Sequence, residues 1–70
     1  MAWESEYVNY GVLIPEGNKV KVYKDQYNYI TVDVDKTITN ANWAGGGLDI
    51  TMSDGYARRY SDQYNYETIH

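Results

Sequence analysis

The chain has 70 residues, of which ten are acidic and six are basic, so its formal net charge is −4. This length fits one domain at most, spanning residues 1–70. The negative charge argues against binding to nucleic acid and against docking on anionic lipid, because both need clustered Lys and Arg.

Cysteine and histidine usage limits the ways in which so short a chain can be stabilised. There is no cysteine, and the only histidine is His70, so neither a disulfide nor a Cys/His zinc site is expected. We therefore expect no metal and no cofactor. The remaining means of stabilisation are packing of the nine Tyr and two Trp rings, or self-association.

The N-terminal residues and the overall hydropathy bear on the compartment. Residues 1–6 have neither a basic region nor an apolar segment, so they do not resemble a secretory signal peptide. No stretch approaches the roughly 18 apolar residues of a membrane-spanning helix. The lack of cysteine is typical of a reducing compartment. The sequence predicts a cytoplasmic protein without membrane association.

The first predicted element is a strand at residues 7–14. Trp3 and Tyr7 have the spacing of one helical turn, but the apolar residues that follow alternate with polar ones, as in a strand. A turn follows at residues 15–18, where Pro fixes φ and Gly can adopt a positive φ.

A hairpin is predicted next, with strands at residues 19–23 and 29–34 joined by an Asp-Gln-Tyr-Asn loop. Both strands alternate between polar and apolar residues, which favours half-buried strands. The residues predicted to point inward are Val20, Val22, Ile30, Val32 and Val34.

The middle of the chain is less regular. Asp35-Lys36 is predicted to be a turn, and residues 37–43 have strand propensity in their first half and loop residues in their second. Residues 44–47 contain three glycines, which suit a hairpin turn, a bulge or a close approach of another backbone or of a ligand.

A further hairpin is predicted from residue 48 onwards. Residues 48–52 alternate, with Leu48, Ile50 and Met52 pointing inward. Asp54-Gly55 is the residue pair typical of a type I′ hairpin turn.

Residues 23–33 and 60–70 form an internal repeat. Seven of the eleven positions are identical at a constant offset. The repeat extends to two units, residues 7–34 and 44–70, each with three strands. Such a meander is marginal alone, so the two units must share a core. We expect an all-β fold of about six short antiparallel strands, as a small barrel or a sandwich, with essentially no helix.

Differences between the two copies point to one face of the second copy. Val22 and Ile30 correspond to Arg59 and Glu67, so an apolar pair becomes an oppositely charged pair. We expect a cross-strand ion pair on a face that is partly in water. The alternative is that this face meets a ligand or a partner.

The repeated loop is a candidate ligand site. Amides and carboxylates can bond sugar hydroxyls, and Tyr rings can stack on a sugar or a small nucleotide. The alternative is that the loop is good turn chemistry without a ligand. The candidate residues are Asp25, Gln26, Tyr27, Asn28, Asp62, Gln63, Tyr64 and Asn65.

Arg58 and Arg59, flanked by Tyr56 and Tyr60, are a second candidate, for a phosphate or a base. Adjacent strand residues point to opposite faces, so both Arg cannot easily serve one site. Solvated Arg side chains paired with acids are the expected outcome.

Catalysis has little support in the sequence. There is no Cys nucleophile, no interior His and no Ser in an elbow motif, so we expect no enzyme and no catalytic residue. The expected function is a non-catalytic protein-interaction module with a Tyr-rich sheet face, for a protein partner or self-association. In general character the chain resembles the small inhibitors that phages carry against bacterial enzymes. The expected partner-binding residues, all on an exposed face, are Tyr23, Tyr29, Tyr60, Tyr66 and Arg58.

Overall fold

The computed structural model of the protein describes residues 3–45 and 47–69. These residues form one short helix and seven strands, which confirms the all-β fold class. In chain order they are α1 (Ser5–Tyr10), β1 (Leu13–Glu16), β2 (Lys19–Tyr23), β3 (Tyr29–Asp33), β4 (Ile38–Ala44), β5 (Gly47–Met52), β6 (Ala57–Tyr60) and β7 (Tyr66–Thr68).

The strands belong to two antiparallel sheets. Sheet A has the order β1-β2-β3, and sheet B has the order β4-β5-β6-β7. Both are meanders, and the chain crosses from one sheet to the other at Asp35-Lys36, where a turn was predicted. The described residues thus form two open sheets rather than one closed barrel, and of the two predicted architectures the sandwich fits.

The core lies between the two sheets. The inward residues predicted for β2, β3 and β5 are buried, apart from Ile30, which is half-buried and packs against the core. Three further residues complete the core: Trp3, Ile38 and Tyr60. Because both sheets contribute to this cluster, neither hairpin buries its apolar face alone.

The strand predicted at residues 7–14 is wrong in its first half. Residues 5–10 are helical, and the strand begins only at Leu13. Trp3 packs edge-to-face on Tyr7, with 5.7 Å between ring centroids, and Gly11 ends the helix with a φ of 74°. Val8 and Tyr10, whose alternation predicted the strand, are exposed. They do not contribute to the core, so nothing favours the strand conformation at these positions. None of the described helices is long and apolar enough to cross a membrane.

Strand β4 runs further than predicted. The second half of residues 37–43 was expected to be a loop, but the strand continues to Ala44, with a register shift between Ile38 and Asn40. Ala41 and Trp43 pack against the core from this half. Their burial therefore outweighs the low strand propensity of the two neighbouring Asn residues.

Glycines set the hairpin turns. Gly17 connects β1 and β2 with a φ of 61°, as expected. Gly55 has a φ of 92° in the β5–β6 turn, but a type I′ turn also needs a positive φ at Asp54, and no non-glycine residue in the described ranges has one. The hairpin was predicted correctly and its turn type was not. Gly45 lies in the β4–β5 turn, and Gly46 falls outside the described residues.

Candidate functional site

The two Asp-Gln-Tyr-Asn loops have the same internal hydrogen bonds. One carboxylate oxygen of Asp25 accepts from the backbone N–H groups of Tyr27 and Asn28, both at 2.8 Å. Asp62 accepts in the same way from Tyr64 and Asn65, also at 2.8 Å.

In each loop the Asn side chain also donates to both carboxylate oxygens of the Asp, at 2.8–3.0 Å. These bonds lower the pKa of Asp25 and of Asp62, with the Asn amide as the largest cause. The Asp and Asn side chains and the backbone N–H groups of Tyr and Asn are therefore engaged within a fixed turn, whereas the Tyr rings project from it. Tyr27 is 82% exposed and Tyr64 is 79% exposed.

A matched aromatic and cationic unit flanks each loop. In the first copy the rings of Tyr23 and Tyr29 are 5.0 Å apart, and Lys21 Nζ lies 5.4 Å from the Tyr29 centroid. In the second copy the rings of Tyr60 and Tyr66 are 4.9 Å apart, and Arg58 Cζ lies 4.4 Å from the Tyr66 centroid. We call each set a Tyr–cation unit.

The two Tyr–cation units face opposite ways relative to the core. In sheet A the core face carries Val20 and Val22, so Tyr23 lies on the outer face and is half-buried. In sheet B the core face carries Tyr60, which is only 2% exposed. The expectation that Tyr60 lies on an exposed face is therefore wrong. The reason is that the two hairpins present opposite faces to the core. The face of the second hairpin that corresponds to the outer face of the first is turned inward.

A groove of about 440 Å³ lies between β3 and the inner face of β6–β7. The pairing register puts Leu48, Tyr60 and Tyr66 in one row across sheet B. Leu48 and Tyr60 are buried, whereas Tyr66 is exposed. The inner face of sheet B therefore extends beyond the part that sheet A covers. We name this groove the Arg58 groove. It is lined by Thr31, Asp33, Val34, Asp35, Arg58, Tyr60, Gln63, Tyr64 and Tyr66.

Arg58 is held firmly within the groove. Its Nη2 lies 2.8 Å from a carboxylate oxygen of Asp35, and its Nη1 is 3.5 Å from the hydroxyl of Tyr60. Only 15% of its side chain is exposed. Burial, partly offset by Arg58, raises the pKa of the Tyr60 hydroxyl. The groove therefore presents a fixed guanidinium stacked on Tyr66, with a carboxylate beside it.

Gln63 joins the two sheets across the groove. Its side-chain Nε2 donates to the backbone oxygen of Thr31 at 3.0 Å. The equivalent residue of the first copy, Gln26, is exposed. The loop of the second copy thus bridges to β3, and no feature of the sequence distinguished the two Gln residues.

Arg59 points away from the groove, as the alternation along a strand predicts. Its Nε and Nη2 donate to the two carboxylate oxygens of Asp49 at 2.8 and 3.1 Å. The ion pair predicted between Arg59 and Glu67 is therefore replaced by one with Asp49, although Glu67 also pairs in register with Arg59. The Arg59 stem crosses Gly47, where a Cβ would lie 2.7 Å from Arg59 Cγ. A close approach was predicted for this glycine segment, but of a backbone or a ligand rather than of a side chain.

A second cavity of about 280 Å³ lies beside the Arg58 groove, under the helix. Trp3 lines it and donates from Nε1 to the backbone oxygen of Tyr60 at 2.9 Å. The lining residues are Trp3, Glu4, Tyr7, Ile30, Asp62, Gln63 and Tyr64. No sequence feature indicated this cavity, because it depends on a helix that was not predicted.

In outcome, the structure brings Arg58, Tyr66, Gln63 and Tyr64 together in one place. Tyr23 and Tyr29 lie on the outer face of sheet A, in register with each other. Among residues 3–45 and 47–69 no three acidic or His side chains cluster closely enough to hold a metal ion; His70 lies outside these ranges. Comparison of the chain with protein-family models, curated proteins and solved structures gave no match.

Proposed function

We propose that this protein is a non-catalytic protein-interaction module. The observation that carries the proposal is the pair of exposed Tyr rings, Tyr27 and Tyr64, each at the tip of a loop fixed by its own hydrogen bonds. A large ring presented by a rigid loop loses little conformational entropy when it is buried by a partner. Tyr is also enriched at protein interfaces.

The surroundings of the two rings support the same function. Tyr29 and Tyr66 are about half exposed beside them, each under a cation. In the Arg58 groove the charged groups are already paired, Arg58 with Asp35 and Asp33 with Lys19 at 3.0 Å, which supports a binding role. Partners that carry aromatic groups can stack on these rings.

In its finer form the proposal is that of a cytoplasmic, phage- or mobile-element-encoded inhibitor of a host protein. A small chain without a reactive nucleophile can inhibit another protein by covering its working surface. The acidic net charge of −4 favours a basic target surface, because charge complementarity speeds association.

Affinity measurements on three Tyr→Ser variants test the proposal. A partner is first isolated by crosslinking from bacterial lysate and then titrated against the purified chain. Tyr27→Ser or Tyr64→Ser should weaken binding by about tenfold or more if the rings are anchors. Tyr56→Ser is the control, because Tyr56 is also exposed but lies at the opposite end of the β6–β7 hairpin. Equal effects of all three substitutions would contradict the proposal.

The second candidate is a binding module for a sugar or a small nucleotide, and the Arg58 groove favours it. The groove combines carboxylates, an amide and Tyr rings in about 440 Å³, within the size range of small-molecule sites. A ligand that binds only the folded chain raises its Tm, so a thermal-shift screen with glycans and nucleotides tests this candidate. The Tyr66→Ser variant should abolish any such shift, and a shift that survives it would place the ligand elsewhere.

A further inference from the structure

The edge of sheet B at β7 has an unusual combination of features. β7 is an outer strand of its sheet, and its three residues Tyr66, Glu67 and Thr68 are all exposed. The pairing of β7 with β6 is bounded by two backbone bonds, Ser61 N to Asn65 O at 2.9 Å and Ile69 N to Ala57 O at 3.0 Å.

The direction of the free backbone groups follows from this pairing. Hydrogen-bonded and non-bonded residue pairs alternate along an antiparallel ladder. Ile69 is in a bonded pair, so Glu67 is also in one, whereas Tyr66 and Thr68 are not. The N–H and C=O groups of Tyr66 and Thr68 therefore point away from β6, and no described residue bonds to them.

Each of the other sheet edges has at least one outward contact in the described part of the chain. The edge of β3 is occupied at Thr31, whose backbone oxygen accepts from Gln63. Strands β1 and β4 lie against each other, and Gly17 beside β1 accepts from the N–H of Ile38 at 2.8 Å. Strand β7, whose outward main-chain groups at Tyr66 and Thr68 have no described partner, is the edge most open to another strand.

We infer that β7 is a strand-addition site for an extended, basic segment of the protein partner, an inference that rests on the proposed function. The partner strand would extend sheet B from four strands to five. Its main chain would bond Tyr66 and Thr68, and side-chain recognition would come from alternate positions.

The register fixes the side-chain chemistry of the segment. A residue opposite Glu67 lies on the outer face beside its carboxylate, so Lys or Arg is favoured there. The residues on either side lie next to Tyr66 and Thr68, on the face that lines the Arg58 groove, where an apolar or aromatic residue can pack on the Tyr66 ring. The recognised pattern is therefore apolar, basic, apolar, and the net charge of −4 adds attraction at longer range.

A second copy of the chain is a poor occupant. Antiparallel pairing of β7 with its own copy, centred on Glu67, places two Glu67 carboxylates opposite each other. Like charges in such a pair are destabilising. The short, charged edge thus resists self-pairing, as protected edges do, while it remains open to a strand of opposite charge.

Peptide titrations test the site. The probes are two acetylated, amidated peptides, Val-Lys-Tyr-Arg-Val-Lys-Thr and its counterpart with Glu at the three basic positions. Binding of the basic peptide should be about tenfold tighter, and should shift the amide NMR signals of Tyr66 and Thr68 most. Equal affinities, or the largest shifts at another edge, would overturn the inference.

Substitutions of Thr68 test the backbone role. Thr68→Pro removes an N–H that β6 does not use, so it should abolish peptide binding with little change in Tm. Thr68→Ala keeps that N–H and should bind normally. If Thr68→Pro fails to fold, a synthetic chain N-methylated at Thr68 replaces it. Full peptide binding to Thr68→Pro, or to the chain N-methylated at Thr68, overturns the inference.

The isolated partner separates this inference from the proposed function. If Tyr64→Ser weakens partner binding and Thr68→Pro does not, strand addition is wrong and the Tyr-based module stands. If neither substitution affects the partner, both are wrong. Loss with both variants supports both.

Discussion

Tyr23 and Tyr60 have nearly the same sequence neighbours and different surroundings in the fold. Each stacks on the Tyr six residues later, at 5.0 and 4.9 Å. Tyr23 is half-buried on the outside of sheet A, whereas Tyr60 is buried in the shared core. Identical local sequence therefore cannot say which ring stabilises the fold, because the answer depends on which hairpin face meets the other sheet.

Alanine substitution should separate the two rings. Tyr60→Ala removes a buried ring and should lower the free energy of unfolding by about 3–5 kcal/mol, enough to unfold a domain of this size. Tyr23→Ala should cost about 1–2 kcal/mol, because that ring is only partly buried, on the outer face of sheet A. Urea unfolding measures both.

Tyr60→Phe is the control for this prediction. It keeps the ring and loses only the hydroxyl contact with Arg58 at 3.5 Å, so we expect a loss below about 1.5 kcal/mol. A Tyr60→Ala protein as stable as Tyr23→Ala would contradict the placement of Tyr60 in the core.

Acid pH should destabilise the protein through the two loop carboxylates. Asp25 and Asp62 have a lowered pKa in the folded chain, with the Asn amides as first cause. A lowered folded pKa gives stability that is present above the unfolded pKa, about 3.9, and is lost as the pH falls through the folded value. We expect a constant Tm from pH 7 to about 5 and a decline below about pH 4.

Asn substitutions check that assignment. The double variant Asp25→Asn, Asp62→Asn keeps an acceptor oxygen at each position but cannot be protonated in this range. Its Tm, followed from pH 6 to pH 2.5, should be lower at neutral pH and should fall less on acidification. If the Tm of this variant fell as steeply below about pH 4 as that of the unsubstituted protein, other carboxylates would be the cause of the decline.

At the scale of elements, most strands were predicted correctly because the alternation of polar and apolar residues is a local pattern. Strand β2 buries Val20 and Val22, and β5 buries Leu48, Ile50 and Met52, as expected. The helix at Ser5–Tyr10 was missed because its anchor is long-range: Trp3 bonds the backbone of Tyr60 and packs on Trp43 at 5.4 Å. A sequence pattern cannot display a contact between residues 57 positions apart.

The candidate site divides in the same way. The turn chemistry of the Asp-Gln-Tyr-Asn loops could be read locally, since each Asp bonds groups two and three residues away. The Arg58 groove could not, because it needs sheet A to stop short of Tyr66 and Asp35 to reach Arg58 from the connection between the sheets.

Exchanging the distinguishing pairs of the two hairpins tests the opposite orientation of these elements. Val22→Arg with Ile30→Glu places charges at a fully buried position and its half-buried neighbour, so the variant should not fold. Arg59→Val with Glu67→Ile changes the outer face of sheet B and leaves Asp49, whose side chain is 17% exposed, without its Arg59 partner, so it should cost about 1–3 kcal/mol but still fold.

Circular dichroism and urea unfolding of the two double variants measure this difference. If the hairpins instead faced the core equivalently, both exchanges would be equally harmful.

For the whole molecule, the shared core determines what can fold alone. Sheet A contributes valines at positions 20, 22, 32 and 34, and sheet B contributes Leu48, Ile50, Met52 and Tyr60 to the same cluster. Separating the sheets would expose both faces to water, and isolated three- or four-stranded meanders of this size have no second layer to cover them.

Cutting the chain between Lys36 and Thr37, at the crossover, tests this dependence. Fragments 1–36 and 37–70 should each lack a cooperative thermal transition by circular dichroism, because each loses the apolar cover that the other provides. Mixed in equal amounts, they should recover strand signal and a concentration-dependent Tm, since association then restores the core. The matched control is fragment 37–70 mixed with a 1–36 fragment carrying Val22→Arg, which should not associate. A cooperative transition in either fragment alone would mean that one sheet folds independently, and that the core between the sheets contributes little to stability.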